Sequence, residues 1–499
     1  MDLINPENLR MTQGQFMLTL PYFIVMVGAM AALLLGVTQR FADQMLTKAV
    51  TLGTAIAAML AVAYVWGEPS TKLFNGMLAA DQFSNLFNGI FLVVTALVAL
   101  TAFPYLTRQD IEHPEYYSLL LFACLGMMLL ASSLDLIVLF VSLEIMSIAV
   151  YVLVGFKRVD VKSNEAALKY YILGSAASAV FLYGVALLYG ATGTMNIVQL
   201  AAVVRSASPG NGLMILGAVF VLGGFLFKVA AVPFHMWMPD VYEGAPTTIT
   251  NFMTTGLKAA AVAAMLRVFA ALGFMDQAHG AEAVLFHNIF WVVALLTMFV
   301  GNVVALTQPN IKRMLAYSSI SHTGYILVGV LAGSLNHTGY GPVVLYITTY
   351  ALTNLGAFAV ITYLAGKGDT LVDVQDLAGL GFKRPALGLA MMVFMLSMAG
   401  VPPTAGFIGK YMMFSAAVQA GEVWLTVLAV LCSAISAYYY LRIIVMMYMR
   451  DPIRDFGSEG LVGPGFVAVA AAAATVALGI LPSSLIDLAM NAAAQITGL

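Results

Sequence analysis

Apolar runs of about twenty residues, separated by short polar breaks, recur from Phe16 almost to the C-terminus. At about 1.5 Å per helical residue, each can cross a hydrocarbon core of about 30 Å. Reading the runs between the breaks predicts about fourteen helices. Their cores lie near 16–37, 47–66, 84–105, 116–132, 135–156, 166–190, 212–231, 247–272, 285–306, 312–334, 342–365, 386–419, 423–448 and 462–481. The twelfth is too long for one straight crossing and contains Val401-Pro402-Pro403, so it is expected to be discontinuous. The first run lacks a basic leader and a small-residue cleavage site and reads as a retained helix. The fold class expected is an all-α polytopic membrane protein.

The polar breaks test that count. Arg40, Lys48, Arg108, Lys157, Arg158, Lys162, Lys312, Arg313, Lys367, Lys383, Arg384, Arg450 and Arg454 all fall after odd-numbered helices, against only Arg10, Lys72 and Arg205 on the other side. Basic loops mark the cytoplasmic side, so both termini are expected to face the periplasm. A missed helix would scramble this division.

Composition narrows the chemistry. Of 499 residues 61% are hydrophobic and 9% charged, far below the roughly 25% charged residues of soluble domains. A net charge of −2 argues against nucleic-acid binding. Cys124 and Cys432 both sit in apolar runs and supply neither a disulfide framework nor metal-ligand spacing, so no metal is expected in this chain. No Gly-rich phosphate loop follows a strand pattern, which speaks against a nucleotide site. The thirty methionines read as adaptable packing side chains. Tyr438-Tyr439-Tyr440 cannot all face one way, against a stacked-aromatic cofactor box.

Six basic residues belong to no loop: Lys169, Lys228, Lys258, Arg267, Lys410 and Arg442. Lys169 lies near the start of its helix, and Arg267 and Arg442 lie toward helix ends, where snorkelling would explain them. Glu144 and Lys258 fall near mid-depth, where insertion of a charge costs about 2.5–3.5 kcal/mol and marks a functional site by default. Lys228 precedes Pro233 by five residues, and Lys410 follows Pro402-Pro403. Helix breaks at membrane depth persist only where protein or water satisfies the freed backbone. Two broken helices, the seventh and twelfth, are five helices apart. An odd separation predicts two inverted five-helix repeats, helices 4–8 and 9–13. The expected divisions are 1–115 (helices 1–3), 116–275 and 276–450 (the repeats) and 451–499 (helix 14).

A buried lysine near neutrality can hold or release a proton, while a nearby carboxylate keeps the proton on. Glu144, Lys228, Lys258 and Lys410 are therefore the candidate proton-transfer residues. Ser318, Ser319, Ser321, His322, Tyr325, Thr348 and Thr349 could hold water between them. The competing readings are a static ion pair for Glu144, Lys228 and Lys258, and snorkelling for Lys410. His235 reads equally as an interface anchor or a proton-uptake group, and His322 as a relay or a satisfied structural residue. Asp240 and Glu243 read as residues of a solvated loop.

Three segments carry a resemblance: Phe227-Lys228 through Pro233-Phe234-His235-Met236-Trp237-Met238-Pro239-Asp240-Val241-Tyr242-Glu243-Gly244-Ala245-Pro246, Lys312-Arg313-Met314-Leu315-Ala316-Tyr317-Ser318-Ser319-Ile320-Ser321-His322, and Gly400-Val401-Pro402-Pro403 through Gly409-Lys410. With them the chain resembles the antiporter-like membrane subunits of respiratory NADH:quinone oxidoreductase (complex I), most closely the subunit N family, over nearly its whole length. The Val241-Tyr242-Glu243-Gly244 form, a lysine at 410 and an end soon after helix 14 favour that branch. The resemblance implies a pairing of Glu144 with Lys228, a central Lys258, an outlet-half Lys410 and an auxiliary Lys169. It implies partners in the other membrane-arm subunits, further antiporter-like subunits among them, and indirect coupling to the peripheral-arm redox subunits. It places FMN, iron–sulfur clusters and quinone in those partners, none in this chain. The location implied is a bacterial inner membrane, in contact with the lipid bilayer.

Three functions compete: a proton-pumping subunit of a redox enzyme, a subunit of a multi-subunit cation/proton antiporter of the same ancestry, and a scaffold whose buried charges only guide assembly.

Overall fold

The computed structural model describes residues 13–38, 44–206, 211–273, 280–336, 339–369, 373–453 and 461–497. Arg10, Arg40 and Arg454 lie outside the described residues. Twelve described helices are long and apolar enough to cross a membrane. They are α1 (Gln13–Thr38), α2 (Met45–Val65), α3 (Gln82–Arg108), α4 (Glu115–Ser132), α5 (Leu136–Val154), α6 (Val161–Thr192), α10 (Thr247–Leu272), α11 (Ala281–Thr307), α12 (Ile311–Asn336), α13 (Tyr340–Leu364), α16 (Val423–Met449) and α17 (Val462–Ile480). Two interrupted crossings supplement them. The seventh is α8 (Gly212–Lys228), followed by a turn and the short α9 (Trp237–Gly244). The twelfth is α14 (Pro385–Ala399) and α15 (Ala405–Gln419), parted at Gly400–Thr404. Each break contains one cis X–Pro bond, Val232–Pro233 and Pro402–Pro403.

Acidic and amide side chains start many of these helices. Asp81 accepts from the Ser84 amide at 2.7 Å, Asp135 from Ile137 at 2.9 Å, Asp160 from Lys162 at 2.9 Å and Asn211 from Met214 at 3.3 Å. Each replaces a partner that the first helical turn lacks. Smaller elements escaped the sequence pattern because they are too short or too polar to register. These are an antiparallel hairpin, β1 (Thr71–Leu73) and β2 (Leu78–Ala80), and two surface helices, α7 (Ile197–Ser206) and α18 (Ser483–Thr497).

Bonds between loops sort the two faces. On the basic face Arg108 donates to the Ala365 carbonyl at 3.1 Å, Gln109 to Gly366 at 2.8 Å and Lys312 to Ala245 at 2.8 Å, and Lys157 pairs with Asp369. These loops follow odd-numbered crossings, as the charge pattern predicts. On the opposite face the Leu134 amide donates to Met77 at 2.8 Å, Asn196 to Gly76 at 2.8 Å, and the Gln82 amide to Gln495 of α18 at 2.6 Å. Helices α10, α12 and α13 fill the middle of the bundle, while α1, α6 and α16 present most of their surface outward. The apolar character of all faces of the inner helices follows from that position.

Candidate functional site

The candidate proton-transfer charges stand on the inner helix α10 and on α5, α8 and α15, packed around the inner helices. Glu144, Ser147 and Tyr151 follow one another at i, i+3 and i+7, which places them on one face of α5. Ser178 of α6 donates to Glu144 at 2.5 Å. Lys228, the last residue of α8, donates to the Ser147 hydroxyl at 2.8 Å and lies 3.4 Å from the Tyr151 hydroxyl. Gly174 makes room for Tyr151: a Cβ there would lie 2.1 Å from its hydroxyl oxygen. The glutamate on α5 and the first lysine, reaching α5 from α8, thus lie one helical turn apart along α5, each held by its own serine. The contact that the resemblance implies is absent from this arrangement.

Lys258 is 2% exposed. It follows a π-helical turn, Met253–Leu257, inside α10. Such a turn adds a residue to the helical repeat and re-aims the side chains after it, a device frequent at functional sites. Lys258 donates to the Ser319 carbonyl at 2.6 Å and lies 2.5 Å from the Ser319 hydroxyl. Tyr350 of α13 donates to that hydroxyl at 2.7 Å and bonds Thr254 at 3.1 Å. The ammonium also lies over the Tyr350 ring, 5.3 Å from its centre.

His322 sits one turn along from Ser318 and Ser319 and is buried. Its Nδ1 meets the Tyr346 hydroxyl and its Nε2 the Tyr440 hydroxyl at 3.0 Å, while Ser318 bonds Tyr440 as well. The imidazole ring is 5.0 Å from the Tyr350 ring and 5.7 Å from that of Tyr325. Of the three consecutive tyrosines, Tyr439 and Tyr440 turn inward and Tyr438 is 63% exposed. Lys410 lies over Tyr325, 5.1 Å from the ring centre. It donates to the carbonyls of Met398 at 2.8 Å and Ala399 at 3.2 Å and to the Ser433 hydroxyl at 2.9 Å. At 5% exposure Lys410 does not snorkel.

The arrangement is a polar ribbon within the bundle, from the half-buried Glu144 through the buried Lys228, Lys258 and His322 to Lys410. Among the described residues, none of Lys228, Lys258 and Lys410 has a carboxylate within 4.0 Å. Of the hydroxyls expected between the charges, Ser318, Ser319 and Tyr325 join the ribbon. Ser321, Thr348 and Thr349 instead bond carbonyls of their own helices. Sequence reading missed Tyr346, Tyr350 and Tyr440, since a tyrosine in an apolar helix carries no sign of which way it faces.

Lys169 and His235 lie apart from the ribbon. Lys169 pairs with Glu165 at 2.6 Å and Asp240 at 2.8 Å at the basic face. Asp240 and Glu243 stand on α9 rather than in a solvated loop: Arg313 reaches Asp240 at 2.6 Å and Glu243 at 3.0 Å, and Lys162 reaches Glu243 at 3.0 Å. Burial raises both carboxyls, but hydrogen bonds from Lys169 and Arg313 to Asp240, and from Lys162 and Arg313 to Glu243, outweigh it and hold both below their usual range. A cavity of about 180 Å³ lies among these charges. His235 is half-buried in the turn after α8, between the exposed Phe234 and Met236.

Arg267 corrects the snorkelling expectation. It is 1% exposed and forms a two-pronged pair with Asp81, at 2.9 and 3.0 Å. It also donates to the Ala131 carbonyl at 2.9 Å and the Ser84 hydroxyl at 3.0 Å. Four of the five guanidinium hydrogens are thus engaged, two of them on one carboxylate, which marks a structural pair. Arg442 is likewise tied down, donating to the carbonyls of Leu306 at 3.2 Å and Gln308 at 2.6 Å. Among the described residues no group of three or more His, Cys, Asp or Glu is placed to hold a metal ion.

A bundle of this kind, with two interrupted crossings and a lysine beside each break, is the architecture of an antiporter-like membrane protein. A family model described as NADH:quinone oxidoreductase/Mrp antiporter, TM, matches residues 133–436, the stretch from α5 to α16. The chain is 45% identical over 475 residues to NADH-quinone oxidoreductase subunit N of Trichlorobacter lovleyi, covering 95% of this chain and 96% of that one. The structure is similar to a chain of respiratory complex I from Thermus thermophilus at a TM-score of 0.80 and 36% identity, covering 94% and 99% of the two chains. A chain of the Mrp complex from Dietzia sp. shares the fold at a TM-score of 0.83 and 23% identity, covering 97% and 98%. The chain belongs to the NADH-quinone oxidoreductase subunit N family.

Proposed function

We propose that this chain is the proton-translocating subunit N of a bacterial NADH:quinone oxidoreductase. It would move protons along Glu144, Lys228, Lys258 and Lys410 while partner subunits carry FMN, iron–sulfur clusters and quinone. The observation that carries the proton path is that no static salt bridge holds these lysines among the described residues. Three lysines are buried in the middle of a membrane bundle, yet each rests on hydroxyls or carbonyls instead of a carboxylate. A lysine placed to guide assembly would be paired. Hydroxyl and carbonyl partners hold the ammonium without fixing its proton, and Ser319, Tyr350, His322 and Tyr440 supply groups that both give and accept hydrogen bonds.

In this reading residues 116–275 and 276–450 are two inverted units, each with its own broken helix, flanked by 1–115 and 451–499. The basic face is cytoplasmic and both termini are periplasmic. Lys169 and the acidic residues of α9 guard proton uptake at that face, with His235 beside them, and His322 relays between Lys258 and Lys410. Other membrane-arm subunits, antiporter-like ones among them, pack against the exposed lateral surface. The names of the relatives favour this function over a free-standing cation/proton antiporter.

Lys228→Ala and Glu144→Ala test the path in the assembled complex. Both variants are expected to assemble and to slow NADH-driven proton pumping. Normal assembly with unchanged pumping would show that these charges are structural.

A further inference from the structure

Helix α8 ends at Lys228, with Ala230 at φ +55°, and Pro233 has no amide hydrogen, so the Val229 carbonyl just past the helix has no helical partner. The carbonyl next to Lys228 is therefore open, and at membrane depth an open carbonyl requires a donor. The donor is Thr323 of α12, whose hydroxyl reaches it at 2.7 Å. Other buried threonines in this chain bond back to their own helix: Thr95 to Phe91 at 2.7 Å, Thr362 to Phe358 at 2.7 Å and Thr475 to Ala471 at 2.8 Å. For Thr323 that own-helix acceptor is the Ser319 carbonyl, 3.3 Å away. Ser319 is already occupied, because Lys258 donates to the same carbonyl at 2.6 Å. The amide side of the break is held from the neighbouring helix, where Thr297 of α11 accepts from Val232 at 3.0 Å.

We propose that Thr323 is a positioning residue that couples Lys258 to Lys228. Its hydroxyl has two acceptors within reach, one on each lysine's side. While Lys258 holds the Ser319 carbonyl, the Thr323 hydrogen points to Val229 and pins the end of α8 that carries Lys228. When Lys258 leaves Ser319, the hydroxyl turns back to its own helix and the Lys228 end is freed. One turn of α12, Ser319 to Thr323, thus touches the Lys258 site, the His322 contacts and the first break. Thr297 completes the clamp, so side chains of α11 and α12 hold a break that belongs to α8.

This inference rests on the reading of Lys228 as a proton carrier, and Lys228→Ala is measured in parallel. In the purified whole complex, Thr323→Val keeps the shape and removes the hydroxyl, and Thr323→Ser keeps the hydroxyl. Proton pumping by Thr323→Val is expected to fall about three- to tenfold, the effect of one hydrogen bond, and Thr323→Ser is expected to restore it. Amide exchange over residues 226–236 should quicken in Thr323→Val, with residues 396–404 unchanged. Thr297→Val loosens the same break from its amide side and is expected to slow pumping as well. Wild-type pumping in Thr323→Val, or a Thr323→Ser variant as slow as Thr323→Val, would overturn the coupling. If Lys228→Ala pumps normally, the proton-carrier reading itself has failed. If only Thr323→Val pumps normally, the carrier reading stands and the positioning role alone is lost.

Discussion

Lys410 closes the helix break that the Met398 carbonyl opens. Pro402 and Pro403 cannot donate to the carbonyls four residues before them, those of Met398 and Ala399. The Lys410 ammonium donates to both, at 2.8 and 3.2 Å, and gives its third hydrogen to Ser433 at 2.9 Å. Gly400, at φ +88°, turns the chain between them, and a Cβ there would come within 3.1 Å of the lysine side chain. The two breaks are therefore closed by different chemistry. At the first a threonine hydroxyl supplies the donor, and at the second the donor is a titratable amine. An ammonium has three hydrogens for three acceptors and a neutral amine has two, so loss of the proton removes one donor, and all three contacts persist only if the Ser433 hydroxyl turns to donate to the amine.

Lys410→Met should leave both carbonyls without donors, each worth about 1–3 kcal/mol when buried. The expected outcome is a lower thermal midpoint of the purified complex and loss of pumping. Lys410→Arg supplies donors but retains its proton. It should assemble nearly normally and still pump slowly, which separates the structural from the chemical role. An arginine variant with full pumping would remove Lys410 from the path.

Lys258→Arg should behave in the same way, because guanidinium does not release its proton. Normal assembly with strongly reduced NADH-driven acidification is expected. Full activity in this variant would take Lys258 off the transfer route.

Tyr350→Phe keeps the ring over Lys258 and removes the hydroxyl that bonds Ser319 and Thr254. The loss of one or two neutral hydrogen bonds predicts roughly a three- to hundredfold decrease in pumping, with little effect on assembly. Tyr438→Phe, on the outward face, serves as the control and should pump normally.

Arg267→Ala strands Asp81 inside the protein. Breaking such a buried pair costs about 3–5 kcal/mol, so the subunit should be lost from the complex or the complex should melt at a lower temperature. The double variant Arg267→Met with Asp81→Asn should regain part of that stability. Pumping per assembled complex should stay unchanged, since the pair lies outside the ribbon. A pumping defect in assembled double-variant complexes would contradict that assignment.

The charge cluster on α9 predicts the acid limit. Asp240 and Glu243 are held below their unfolded values, so their contribution is fully present above about pH 4–4.5 and is lost as the pH falls through the lower folded values. Thermal stability of the complex should therefore decline as the pH falls below about 4. Asp240→Asn with Glu243→Gln should flatten that decline. The effect will be modest, because the Asp240 side chain is 35% exposed and that of Glu243 21%, so solvent screens them. An unchanged acid profile in the double variant would show that the cluster does not set the limit.

Hydropathy and loop charge were enough to read the membrane bundle and its two interrupted crossings from the chain alone. An apolar run of twenty residues has few alternatives, and a proline inside one has a fixed cost. The buried lysines were equally legible, because a charge in an apolar run stands out one residue at a time. Their surroundings were not. Arg267 reads as a helix-end snorkeller until α3 brings Asp81 against it, and Asp240 and Glu243 read as loop residues until Arg313 and Lys169 surround them. The tyrosines that sequence reading missed come from α13 and α16, and the π turn before Lys258 re-aims the side chains after it. Local pattern determined where the chain crosses and which charges it carries inside. Only the packing of distant helices decided what those charges touch, because a hydrogen bond between residues more than sixty apart in sequence leaves no periodic trace in either segment.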